Sequence, residues 1–192
     1  MLLTPHMSYQ REFLGFGMFQ AGPSGAIFRA EALRALGGFQ NCGNPSDFLF
    51  WLRACADVSV LLLPGDLFWY RIHPAQEFQS ERARGEYAVT IRAVWAALSS
   101  EACPLTTDER EQARRNVIAG QAKLLWSDLR ANRFALARLR FAAGPSAGDW
   151  LRYLRRPRRD QWAGTPFASD GEFLVPPSPS PDGVDKAPMT QP

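Results

Sequence analysis

Residues 44–63 read NPSDFLFWLRACADVSVLLL, and this stretch predicts a helix that is followed at once by a strand. Asn44 is a favourable helix N-cap, Pro45 suits the first helical position, and Asp47 falls at the third. An apolar stripe follows at helical spacing, formed by Phe48, Trp51, Leu52 and Cys55. The next run, Val58–Leu63, is apolar and contains β-branched residues, which favours a buried strand.

The sequence on both sides predicts more strands. Residues 25–29 indicate a short strand that enters a helix at Ala30–Leu36, and Gly37-Gly38 marks the end of that helix. Downstream, Pro64-Gly65 turns the chain and Leu67–Ile72 predicts another strand. This alternation predicts the α/β class, with a partial layer of short strands and helices. We expect strands 58–63 and 67–72 to leave an exposed apolar sheet edge.

The rest of the chain divides into three further zones. Residues 77–142 predict a helical extension, with helices at Glu81–Leu98, from a capping box at 106–109 to about Ala131, and at Phe134–Ala142. Residues 143–160 form a basic aromatic segment. Residues 161–192 are rich in proline and poor in apolar groups, which predicts a disordered tail. With the α/β layer at 1–76, these are the predicted domains.

Composition narrows the function classes. The 192 residues carry a net charge of +3, which excludes a histone-like polycation and an acidic tail. Cys42, Cys55 and Cys103 have no CxxC spacing, which argues against a disulfide framework and a zinc site and suits a reducing cytosol. The sequence has no P-loop, GxSxG, HExxH or Asp-x-Asp motif.

Four short elements lie in order between residues 22 and 76. They read GPSGAIFR at 22–29, LGGF at 36–39, SDFLFWLR at 46–53 and YRIHPAQ at 70–76. Together they resemble the acceptor-side portion of family 2 glycosyltransferases, which are inverting enzymes of the GT-A type. The resemblance implies a partial GT-A-like layer at residues 1–76. It also implies transfer of a sugar from a nucleotide-sugar donor to an acceptor hydroxyl, with a glycan or lipid-linked acceptor of the kind used for bacterial cell-surface polysaccharide.

The resemblance also implies roles for particular residues. Asp47 takes the place of the general base that deprotonates the acceptor hydroxyl. Trp51 and Gly25 lie where the acceptor binds. Arg71 and His73 lie on the donor-phosphate side, and His73 is also a candidate ligand of a divalent metal, Mg²⁺ or Mn²⁺.

The chain departs from the family pattern at two points. Ser46 stands where the family has a glutamate, and the nucleotide-binding half with its Asp-x-Asp is missing. We therefore expect a truncated glycosyltransferase, which is an enzyme only if an N-terminal half completes it, and no cofactor for this chain alone. The alternative is a non-catalytic carbohydrate- or protein-binding module. In that case Asp47 is a helix-start carboxylate, Trp51 packs in the core and His73 is structural.

The basic aromatic segment has its own alternatives. Residues 130–160 contain nine arginines against Asp149 and Asp160, and aromatic residues lie between the arginines. The preferred interpretation is a solvated helix end that Trp150 docks on the core. A membrane surface that contacts residues 149–159 comes next, and nucleic acid is the least favoured partner. The predicted location is cytoplasmic, with peripheral binding at the inner face of the membrane as an option.

Overall fold

The computed structural model describes residues 1–19, 22–63 and 80–155. A short strand and a helix open the chain, and a 3₁₀ turn at Pro23–Gly25 precedes the second helix. The elements are β1 (Leu2–Leu3), α1 (Pro5–Phe13), α2 (Ala30–Ala35), α3 (Ser46–Asp57), β2 (Val60–Leu61), α4 (Glu81–Ala88), α5 (Thr90–Ser99), α6 (Thr107–Arg130), α7 (Phe134–Ala143) and α8 (Ala147–Arg155).

The predicted α/β class is wrong, because the described residues are mainly helical. Their one sheet consists of β1 and β2, which pair antiparallel over two residues each, with Leu2 opposite Leu61 and Leu3 opposite Val60. The run at 58–63 forms only this short ladder, because its described partner is the brief strand at the N-terminus. Leu2 and Leu61 lie on the outer face of the sheet and are exposed.

Neither of the other two predicted strands is present among the described residues. Gly25 ends the 3₁₀ turn, and residues 26–29 belong to no strand. The predicted strand at 67–72 lies outside the described residues. β-Propensity is realised only where a neighbouring strand supplies hydrogen-bond partners, and residues 26–29 have no such strand within the described part of the chain. The structure is therefore not a GT-A-like layer.

Two predictions that rest on signals within a few residues are confirmed. At the end of α2, the N–H of Gly38 donates to the Leu33 carbonyl and the N–H of Gly37 to the Arg34 carbonyl, and both glycines have positive φ. At the start of α6, Thr106 and Glu109 form the predicted capping box. The predicted helix at 81–98 is instead two helices, α4 and α5, which meet at Val89.

One hydrophobic core joins α1, α3, α5 and α6. The Tyr9 hydroxyl in α1 donates to the Leu52 carbonyl in α3 at 2.6 Å, and burial raises the pKa of this phenol above its ordinary value. The buried members of this core are Tyr9, Phe13, Phe19, Leu52, Cys55, Val94, Leu98, Cys103, Leu105 and Ala113. The core therefore draws on residues from both the 1–76 and the 77–142 ranges.

The second half of α6 and the whole of α7 form a helical hairpin. Asn132, with a positive φ of 56°, lies in the turn between them. Inside the hairpin, the buried Asp128 carboxylate pairs with Arg133 at 3.2 Å and with Arg140 at 3.1 Å. Arg140 also donates to the Gln121 side chain at 3.2 Å. This network ties the two helices together.

Helix α8 covers part of one face of this hairpin. Trp150 and Tyr153 of α8 are buried and cluster with Ile118 of α6. Trp150 also stacks on Phe141 of α7, with ring centroids 5.8 Å apart. The faces of α6 and α7 that carry Ile118 and Phe141 therefore point to the same side.

Candidate functional site

Asp47 lies in the first turn of α3, close to its predicted position. The helix begins at Ser46 with Pro45 as N-cap, so Asp47 occupies the second helical position and not the third. Its Oδ1 accepts the N–H of the next residue, Phe48, at 2.7 Å. The side chain is half-buried. This geometry is that of a helix-start carboxylate, which favours the positive end of the helix dipole.

Trp51 lies one turn after Asp47, within an aromatic cluster. Its ring stacks on Phe28, with centroids 5.2 Å apart and planes 24° apart, and meets the edge of Phe50 at 5.6 Å. Phe39 packs on Phe50 from the other side of the cluster, at 4.6 Å. One face of the Trp51 ring is thus covered by protein, so that face cannot stack on a sugar.

Of the remaining predicted site residues, Gly25 is among the described residues. Gly25 is exposed at the end of the 3₁₀ turn. Arg71 and His73 lie outside the described residues. Within 1–19, 22–63 and 80–155, no three His, Cys, Asp or Glu side chains are grouped so that they could hold a metal ion.

An open groove of about 440 Å³ lies between the loop before α3 and the corner where α4 meets α5. Glu86 lines it and accepts hydrogen bonds from the Asn44 backbone N–H at 2.7 Å, the Asn44 side-chain amide at 2.8 Å and Arg82 at 2.9 Å. These bonds, the Asn44 backbone bond first, hold the pKa of Glu86 at about 2. Glu86 therefore anchors the loop as a fixed anion and is a poor proton acceptor near neutral pH.

A second candidate surface is the side of the α6–α7 hairpin on which α8 lies. Trp126 follows Ala122, which packs on the α8 cluster, by one helical turn. Phe134 precedes Phe141, which stacks on Trp150, by two turns. Trp126 and Phe134 thus lie on the same side of the hairpin as α8, nearer to the hairpin turn. We name the part of this side that α8 leaves uncovered the hairpin face. It is formed by Lys123, Trp126, Leu129, Arg130, Phe134 and Arg138.

The hairpin face is apolar at its centre and basic around it. Trp126 and Phe134 are each 62% exposed, which is unusual for large aromatic side chains. The Arg130 guanidinium lies over the Trp126 ring, 6.0 Å from its centroid. Lys123 and Arg138 lie one turn from Trp126 and Phe134 respectively. These groups form one mixed aromatic and cationic surface.

No carboxylate balances these cations within the described part of the hairpin. Asp128 is the single acidic residue between 121 and 142, and it is buried and already paired with Arg133 and Arg140. No ion pair is found for Lys123, Arg130 or Arg138 among the described residues. The hairpin face therefore presents three cations to an external anion.

The predicted basic aromatic segment is arranged differently. Trp150 and Tyr153 of α8 point into the protein, and the Tyr153 hydroxyl donates to Glu111 at 2.7 Å. Burial first and this hydrogen bond second raise the pKa of Tyr153. Trp150 therefore docks α8 on α6, as the preferred interpretation expected. Residues 156–159 lie outside the described residues.

Sequence reasoning missed the hairpin face, although it carries a signal. Within the predicted helices, Trp126 and Phe134 have lysine or arginine within one turn, which is typical of an exposed aromatic residue. The net charge of residues 130–160, taken as one block, does not distinguish the arginines beside these rings from those that pair with Asp128.

No model of a known protein family matches the sequence, and no curated protein or solved structure is significantly similar to it. None of the helices within 1–19, 22–63 and 80–155 has both the length and the apolar character needed to span a bilayer.

Proposed function

We propose that this chain is a non-catalytic binding module whose contact surface is the hairpin face. The observation that carries the proposal is the pair of exposed aromatic rings, Trp126 and Phe134, beside three cations that have no carboxylate partner among the described residues. Exposed aromatic residues with arginine are enriched at contact surfaces, because they combine a large apolar area with a polar or charged end. The partner must carry negative charge.

The arrangement of the catalytic candidates favours binding over catalysis. Asp47 accepts a hydrogen bond from its own helix, and Trp51 stacks on Phe28. A general base has to face a cleft that holds the acceptor hydroxyl. Neither Asp47 nor Trp51 lines the groove described above. Glycosyl transfer stays a prediction from the resemblance, and the α/β layer that would have positioned its residues is absent from the described chain.

A site-specific photo-crosslinker tests the proposal. The crosslinking amino acid replaces Phe134 in one variant and Phe16, which is 96% exposed and outside the hairpin, in a matched control. Both variants are expressed in the native host and irradiated. We expect adducts with a partner, whether protein or lipid, at position 134 and not at position 16. Equal adduct yields at the two positions would refute the hairpin face as the contact surface.

A further inference from the structure

We infer that the anionic partner of the hairpin face is the surface of a phospholipid bilayer, into which Trp126 and Phe134 insert. This inference rests on the proposed function, since it names the partner class for the same surface. It involves peripheral attachment only, with the two rings at the boundary between headgroups and acyl chains.

The first argument is the exposure of the two rings. Trp126 and Phe134 make no ring contact with another aromatic residue of the described chain, and more than half of each side chain is open. They lie near the turn of a helical hairpin, where side chains project outward. A fluid interface can accept such protruding rings without a preformed complementary pocket, and Trp in particular favours the headgroup level.

The second argument is the position of the charges. Lys123, Arg130 and Arg138 lie within one turn of the two rings, and long basic side chains can keep their charge at the headgroups while their stems cover apolar surface. Arg130 already lies over the Trp126 ring. Each such cation near an anionic membrane strengthens binding about fivefold. Charge and apolar area thus favour the same partner.

The third argument is that the hairpin holds this surface rigidly. The buried pairs of Asp128 with Arg133 and Arg140 fix α7 against α6. The rings are therefore presented before binding, and little ordering entropy is lost on attachment. A preorganised surface that combines basic and aromatic side chains suits an extended anionic plane.

Co-sedimentation of the full chain with lipid vesicles tests the inference. The vesicles contain either phosphatidylcholine alone or phosphatidylcholine with about 30% phosphatidylglycerol, in about 0.1 M salt. The test variant is Trp126→Ser with Phe134→Ser, and the matched control is Phe16→Ser, since the Phe16 ring is exposed as well. Urea unfolding of each variant confirms that the fold is kept.

The expected results are specific. The wild type and Phe16→Ser bind the anionic vesicles at least about tenfold more strongly than the neutral ones. The double serine variant loses about tenfold or more of this binding, because the apolar contribution is gone. Arg138→Ala loses about fivefold, and raising the salt weakens the wild type.

Three outcomes would overturn the inference. The first is that the wild type does not bind anionic vesicles, and the second is that it binds neutral vesicles equally well. The third is that the double serine variant binds anionic vesicles as strongly as Phe16→Ser does. If vesicle binding is absent but position 134 forms an adduct with a protein or with a second copy of this chain, the bilayer is refuted as the partner. The proposed function then still stands. If the position-134 adduct is also missing, both fail.

Discussion

Replacing Asp128 with alanine is expected to lower the free energy of unfolding by about 3–5 kcal/mol. The Asp128 side chain is 6% exposed and bridges Arg133 in the hairpin turn and Arg140 in α7. Removing it leaves Arg140, which is only 9% exposed, with Gln121 as its remaining partner. An uncompensated buried charge is among the costliest single changes to a protein.

The same network predicts a graded series. Arg133 is 29% exposed and can return to water, so Arg133→Ala should cost only about 0.5–1 kcal/mol. Replacing both buried partners, by Asp128→Leu with Arg140→Met, removes the charges together. This double variant should lie within about 1 kcal/mol of the wild type, since packed apolar side chains often substitute for a buried ion pair.

Urea unfolding followed by circular dichroism at 222 nm measures the series. For a chain of this size, the Asp128→Ala loss should appear as a melting temperature about 10–15 °C lower. The reasoning is refuted if Asp128→Ala costs less than Arg133→Ala, or if the double variant is less stable than Asp128→Ala. The first result would mean that solvent reaches Arg140 despite its burial, and the second that the apolar side chains do not pack in place of the ion pair.

Three further predictions concern acid stability, thiol chemistry and the catalytic candidate. Burial raises the pKa of Glu109, but hydrogen bonds led by that of His6 outweigh it and hold the pKa at about 2. In urea titrations, the wild type should therefore be more stable than Glu109→Ala by about 1–2 kcal/mol above pH 4.5, after solvent screening. This difference should vanish as the pH falls toward 2. A difference in the free energy of unfolding that persists at the lowest pH contradicts the prediction. A thiol reagent should modify one cysteine, Cys42, in the native chain and three in guanidinium chloride. The reason is that Cys55 and Cys103 are buried, and burial raises the pKa of Cys55 to about 12. Fast modification of a second thiol in the native chain would be inconsistent with this core. Asp47→Asn should lower the free energy of unfolding by at most about 1 kcal/mol in the same urea assay. UDP-sugars with Mn²⁺ should leave the melting temperature of the wild type unchanged. A rise in melting temperature that depends on Asp47 would restore the glycosyltransferase prediction.

The helices were largely predictable, because their signals act over four to seven residues. The capping box at Thr106 and the paired glycines after α2 each satisfy orphan backbone groups locally, so neither needs tertiary information. Helix α1 was missed although it has the same kind of signal. Thr4 caps it by accepting the Met7 N–H at 3.3 Å, and Pro5 follows at the first helical position.

The sheet could not be predicted in this way. β2 finds its described partner at residues 2–3, some sixty positions earlier in the chain, and the ladder stops after two residues. An apolar run such as 58–63 indicates burial but does not identify the strand beside it. The inferred α/β layer therefore failed at the step that depends on long-range pairing.

The catalytic prediction failed to gain support for a related reason. A carboxylate in the first turn of a helix, followed by an aromatic residue one turn later, is also what an ordinary amphipathic helix start looks like. In α3, Asp47 serves its own helix end and Trp51 packs on Phe28. Residue spacing alone does not separate the two cases.

The arginines show why a charge count is a weak guide to a binding surface. Residues 130–160 have seven more basic than acidic groups, yet the charge is not evenly available. Arg133 and Arg140 are neutralised by the buried Asp128, and Arg152 pairs with Glu111. Among the arginines whose side chains the structure describes, Arg130 and Arg138 remain for an external anion, and both lie beside exposed aromatic rings. Burial and pairing decide which charges a partner can reach, and within the described residues this favours the hairpin face as the proposed contact surface.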